Sequence, residues 1–148
     1  MTTVFDVANY ILNKVGQITS MKLQKLVYYS QAWSLAWDDV PLFDEDFQAW
    51  ANGPVCPELF YAHKGHFILS KNFFAEKSAA SFSNTQADTI DIVLADYAQL
   101  NPHELSNLTH RERPWLEARG NTPPGMPCTN IIDKEVMRDY YARLIPTV

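Results

Sequence analysis

Two cysteines and five glycines among 148 residues are few, and each scarcity closes off a class of protein. Cys56 and Cys128 lie too far apart in sequence for a zinc knuckle and are too few for a disulfide framework, so a reducing compartment fits best. Nowhere do eighteen apolar residues follow one another, and no basic stretch precedes a long apolar run. Neither a membrane span nor a secretory leader is expected, and the protein is expected in the cytoplasm. Lys and Arg number 12 against 17 Asp and Glu, a formal net charge of -5. A domain that lives on phosphate backbones needs clustered bases, so nucleic acid is not an expected partner. The chain also lacks an internal repeat, a glycine-rich phosphate cradle and a nucleophile elbow, which removes solenoids and the enzymes built on those motifs.

What the chain does have is apolar mass. Hydrophobic residues make up 47% and aromatic residues 13%, enough to offset the entropy of ordering one domain over residues 1–148. The periodicity predicts a mainly α, compact bundle of about six helices. Val4, Val7, Ala8, Ile11, Leu12 and Val15 form one stripe of a first helix, capped by Thr3 with Asp6 and ended by Gly16. Thr19 or Ser20 caps a second, to about Trp37, whose apolar residues spread around most of the cylinder. That helix is expected at the centre, with Lys22, Gln24 and Lys25 as its wet edge.

Residues 38–57 lose the helical period. Leu42–Phe43 and Phe47–Trp50 read as a short hairpin or extended pair, and Asn52-Gly53-Pro54 as a turn. Pro57 opens a short third helix stopped by Gly65, and residues 66–82 read as an irregular or mobile stretch. A fourth helix starts at Asn84 or Thr85. A fifth starts at Asn101 with a Glu104 capping box and breaks near Pro114, with a short piece at Trp115–Arg119. Residues 120–127 are a loop by composition. Asp133 caps a last helix through Ile145, with Val136, Tyr140 and Leu144 on one face.

Several residues invite chemistry. Cys56, His63 and His66 have the spacing C-x6-H-x2-H, but structural zinc wants a fourth ligand, so they read as surface or capping histidines beside a buried thiol, and no metal is expected. Cys56 sits between Val55 and Pro57, a setting for an inert thiol. The acidic run Asp38, Asp39, Asp44, Glu45 and Asp46 reads as a solvated loop whose charge could meet a basic partner. Trp50 beside the rigid Asn52-Gly53-Pro54-Val55 segment is either core or an interface anchor. His110 with Glu112 is the nearest approach to a catalytic pair, and the rival enzyme or ligand-binding reading puts it in a pocket lined by Trp33, Trp37 and Trp50. A structural histidine is the simpler reading. No cofactor, catalytic residue or small-molecule ligand is expected.

Three segments in order, MKLQKLVYY (residues 21–29), PLFDEDFQAWANGPVCPELF (residues 41–60) and LSNLTHRERPW (residues 105–115), resemble the SocA-like Panacea domain. The likeness runs from residue 4 to about residue 144. The resemblance implies an antitoxin, not an enzyme, that neutralises a cognate toxin by direct binding. It also implies two settings: prophage or phage-defence regions, and, for the namesake, delivery of the toxin to a ClpXP-type protease. A proteolytic adaptor without a toxin is the nearest alternative. Longer members carry added DNA-binding or zinc-binding segments that are not seen here. The residues expected to meet the partner are those in the shared motifs: Trp50, Asn52, Gly53, Pro54, Val55, His110 and Trp115.

Overall fold

The computed structural model describes residues 2–79 and 82–144. Among them are seven α-helices: α1 (Val4–Val15), α2 (Ser20–Asp38), α3 (Pro57–His63), α4 (Asn84–Tyr97), α5 (Pro102–Thr109), α6 (Arg113–Arg119) and α7 (Lys134–Ala142). Two short antiparallel pairs and a 3-10 turn at Ala75–Lys77 complete the regular structure. Strand β1 (Ile18–Thr19) pairs with β4 (Ile68–Leu69), and β2 (Gln48–Trp50) forms a hairpin with β3 (Gly53–Val55). The expected mainly α bundle with a short hairpin is what forms, with one helix more than the six anticipated.

Local chemistry places the helix starts. The Thr19 hydroxyl accepts from the Lys22 amide at α2, Ser83 accepts from Gln86 at α4, and Asp133 accepts from Glu135 at α7. At α5, Asn101 and Glu104 satisfy each other's backbone amides reciprocally. Each bond relieves amides that have no partner inside the first helical turn. At α1, Asp6 turns back to accept from the Thr3 amide and hydroxyl.

Helix α2 is the axis of the molecule and packs against α7, α4, α1 and α5. Every residue from Leu23 to Leu35 is buried, so the wet edge expected at Gln24 and Lys25 does not exist: their relative exposures are 2% and 1%. Lys22 is half-buried. The polar side chains inside this helix have a shared task. Gln24 bonds the Cys56 amide and carbonyl, Lys25 the Pro54 carbonyl, Gln31 the Leu42 amide and the Phe43 carbonyl, and Ser34 the Val40 carbonyl. Residues 40–56 form little ladder of their own, and a buried backbone group left unpaired costs about as much as a lost hydrogen bond. The polar residues of α2 supply that missing pairing.

Other expectations shift in register. The hairpin partner of residues 48–50 is Gly53–Val55, not Leu42–Phe43, whose side chains are instead buried in the core. The turn therefore falls at Ala51–Asn52, and Gly53-Pro54 lies in a strand. The break in the fifth helix comes before Pro114: α5 ends at Thr109, and Pro114 sits in the first turn of α6, where its missing amide costs nothing. Residues 66–79 are irregular yet anchored, through β4 and through buried Leu69 and Phe74; residues 80 and 81 lie outside the described residues. In α7 the buried positions are Met137 and Tyr141, one residue on from the expected Val136 and Tyr140, which are half-buried. Leu144 is 48% exposed, and Ile145 lies outside the described residues.

Candidate functional site

The hairpin is held from behind by α5 and α6. Trp115 donates its indole N–H to the Trp50 carbonyl at 2.9 Å, Arg119 donates to the Ala49 carbonyl at 3.1 Å, and Ser106 donates to the Asn52 carbonyl at 2.6 Å. The same Arg119 guanidinium reaches the Pro123 and Met126 carbonyls, tying the proline-rich loop to the hairpin, and lies over the Trp115 ring. A buried guanidinium is tolerated because these carbonyls take its fixed donors. His110 stacks on Trp115 with centroids 4.2 Å apart and planes 20° apart. Its Nε2 is buried without a hydrogen-bond partner, and burial, together with Lys25 and Arg119, holds its pKa below the usual histidine value. His110 and Trp115 are thus a neutral aromatic stack supporting the strand.

In front of the hairpin lies a cleft of about 550 Å³. Trp50, Val55 and Phe60 give it apolar walls, Asn52 and His63 its edges, and Lys25 lines it from within α2. The Trp50 and Phe60 rings meet at 63° with centroids 4.9 Å apart, while the Trp50 indole donates to Gln48. Gln24 donates to His63 Nε2 at 3.1 Å, so that nitrogen acts as the acceptor of a neutral ring, in keeping with a pKa lowered by burial. Cys56 is buried, and its thiol is pushed up to about 12 by desolvation, so it is protonated and a poor nucleophile at neutral pH.

Lys25, like Gln24, is buried where the sequence predicts a solvent edge. Its side chain runs beneath Gly53, whose φ is +117°, and its ammonium donates to the Pro54 carbonyl at 3.2 Å. Burial lowers its pKa from 10.5 to about 7. A signal was present: apolar residues on every side of α2 leave no face for solvent, so polar residues within it had to be buried.

Of the seven expected contact residues, Trp50, Asn52 and Val55 line the cleft, whereas Gly53 and Pro54 form the strand that covers Lys25, and His110 and Trp115 lie behind the hairpin. Among the residues expected to form a pocket, His110 and Glu112 with walls of Trp33, Trp37 and Trp50, Trp50 alone lines the cleft. Glu112 is buried, and its carboxylate accepts from the Tyr29 hydroxyl at 2.6 Å and the Tyr141 hydroxyl at 2.7 Å, with burial raising its pKa. Trp33 donates to the Tyr97 hydroxyl and packs on Trp37. Among the described residues no group of three His, Cys, Asp or Glu is placed to hold a metal ion. A second, shallower pocket of about 350 Å³ is lined by Asp44, Glu45, Asp46 and Glu58 with Thr2 and Thr3. Asp46 is paired with Lys134, and Glu45 accepts from the Val4 amide.

Residues 23–116, from α2 into α6, match the family described as antitoxin SocA-like, Panacea domain. The chain belongs to the SocA-like Panacea family. The Panacea match takes in the hairpin, Lys25 and the His110–Trp115 stack, and is narrower than the likeness from residue 4 to about residue 144 expected from the motifs. No curated protein and no solved structure matches the chain. Among the described residues no helix is long and apolar enough to cross a membrane.

Proposed function

We propose that the protein is an antitoxin that acts in the cytoplasm as one domain over residues 1–148 and neutralises a cognate toxin by binding it directly. The family match over residues 23–116 carries the reading. The shape of the Trp50 cleft supports it. Trp50 is half-buried at its rim, and the flanking surface exposes Tyr61 and Phe67, each 70% accessible. Tyr61 meets Phe60 edge-on, which makes its ring continuous with the cleft wall. Aromatic side chains around a concave, rigidly backed centre are the usual composition of an interface that excludes water. The acidic side chains Asp44, Glu45 and Glu58, which line the second pocket, add long-range attraction for a basic toxin. Trp50, Asn52 and Val55 make contact, while Gly53, Pro54, His110 and Trp115 keep the hairpin in shape. Neutralisation is steric and needs no reactive centre.

The test is co-expression with the neighbouring open reading frame. That frame should arrest growth by itself and be harmless with this chain, and the two products should co-purify. A folded Trp50→Ala variant should weaken binding by about 2 kcal/mol, roughly thirtyfold in Kd. Full neutralisation by that variant would move the face elsewhere. If no neighbouring product is toxic and rescued, the antitoxin reading fails.

A further inference from the structure

In its protonated form, Lys25 is a charge without an ion-pair partner. An ammonium has three donors, and the hydrogen bond that holds this one goes to the Pro54 carbonyl. None of the ion pairs among the described residues involves it. The nearby charged groups are of its own sign or neutral: Arg119 behind the hairpin, and His110 and His63, both held toward the neutral form. The other polar residues lining the cleft, Ser20, Gln24, Asn52, His63 and Thr129, carry no acid, and Gln24 is engaged by the Cys56 backbone and His63. The cleft thus offers aromatic and aliphatic walls, a few neutral polar groups and one lysine, with no acid among its lining residues.

We infer that the Trp50 cleft is a binding site for a small aromatic carboxylic acid, its ring against Trp50 and Phe60 and its carboxylate completing the hydrogen bonding of Lys25. The volume of about 550 Å³ suits a ligand of that class, since such pockets run from about 300 to 1,000 Å³. Charge complementarity selects the acid. A carboxylate supplies the acceptors that the ammonium lacks, whereas a neutral or cationic ligand would leave it buried and uncompensated. A ligand seated there would occupy the surface beside Trp50 and so compete with any protein that docks on it. The site does not rest on the antitoxin reading, because binding is measured on the isolated chain.

The experiment titrates the full chain with 4-phenylbutyrate, its isosteric amide 4-phenylbutanamide, and 4-phenylbutylamine. Calorimetry reads affinity, and the Trp50 indole N–H resonance reads location. At about pH 6 the acid should bind one site at least tenfold more tightly than the amide, with the amine weakest, and should shift the Trp50 resonance. Lys25→Met, which keeps the length of the side chain, should bring acid and amide to within about twofold of each other. Equal affinities on the wild-type chain, no saturable binding of the acid, or an acid preference that survives Lys25→Met would overturn the assignment. Should Lys25→Met fail to fold, the wild-type comparison of acid and amide, with the Trp50 shift, decides the matter.

Discussion

Replacing Gly53 with alanine tests the packing beneath the hairpin. A Cβ built at this position would stand 2.6 Å from Lys25 Cε and 2.8 Å from Thr109 Oγ1, closer than such carbons approach. Lys25 cannot swing aside at low cost: it is 1% exposed, and its ammonium is bonded to Pro54. The φ of +117° adds its own strain for any L side chain. The backbone term costs about 1–3 kcal/mol and overpacking a further 1–3 kcal/mol, so the total is about 2–6 kcal/mol. For a chain of this size that lowers Tm by about 5–20 °C. Gly65 provides the control. Its φ is +88° with nothing within 4 Å of the added carbon, so Gly65→Ala should cost only the conformational term of about 1–2 kcal/mol. Urea denaturation reads both as changes in midpoint at constant slope. Pairing Gly53→Ala with Lys25→Ala should recover part of the loss by opening space for the new carbon. If Gly53→Ala is no worse than Gly65→Ala, or if the double variant shows no coupling, the close packing of Lys25 under the hairpin is wrong.

Two further outcomes follow from the buried charges. Lys25 has its folded pKa lowered to about 7 from 10.5, so the unfolded chain binds the extra proton across that window; stability should rise with pH between those values, and Lys25→Met should flatten the slope in denaturation measured across it. Glu112 is a carboxyl raised by burial, so its contribution is fully present below the ordinary carboxyl range and is lost as pH rises through the raised value. Glu112→Gln should remove that pH dependence while keeping an acceptor for Tyr29 and Tyr141, whereas Glu112→Leu should cost about 1–3 kcal/mol for each hydroxyl left unpaired. Equal losses for Gln and Leu in thermal unfolding would rule out the hydroxyl bonds as the cause.

Helix starts and stops were legible in the sequence because their causes are local. Thr19, Asn101 and Asp133 cap amides two or three residues away, Pro57 starts a helix through its own ring, and Gly16 ends α1 with a φ of +80°. The three motif segments that identify the family were readable for the same reason, being strings of adjacent residues. What sequence could not decide is which polar residues are buried and what they hold. Gln24 and Lys25 looked like a solvent edge, yet their partners Cys56 and Pro54 lie 32 and 29 residues along the chain. The face of α7 shifted by one residue because Tyr141 reaches Glu112 and Tyr28, contacts made 29 and 113 residues away. Periodicity reports how much of a helix is apolar, but only the packed chain shows where backbone groups without a ladder lie. In this protein they lie in residues 40–56, and pairing them drew the polar side chains of α2 inward and left one lysine at the cleft.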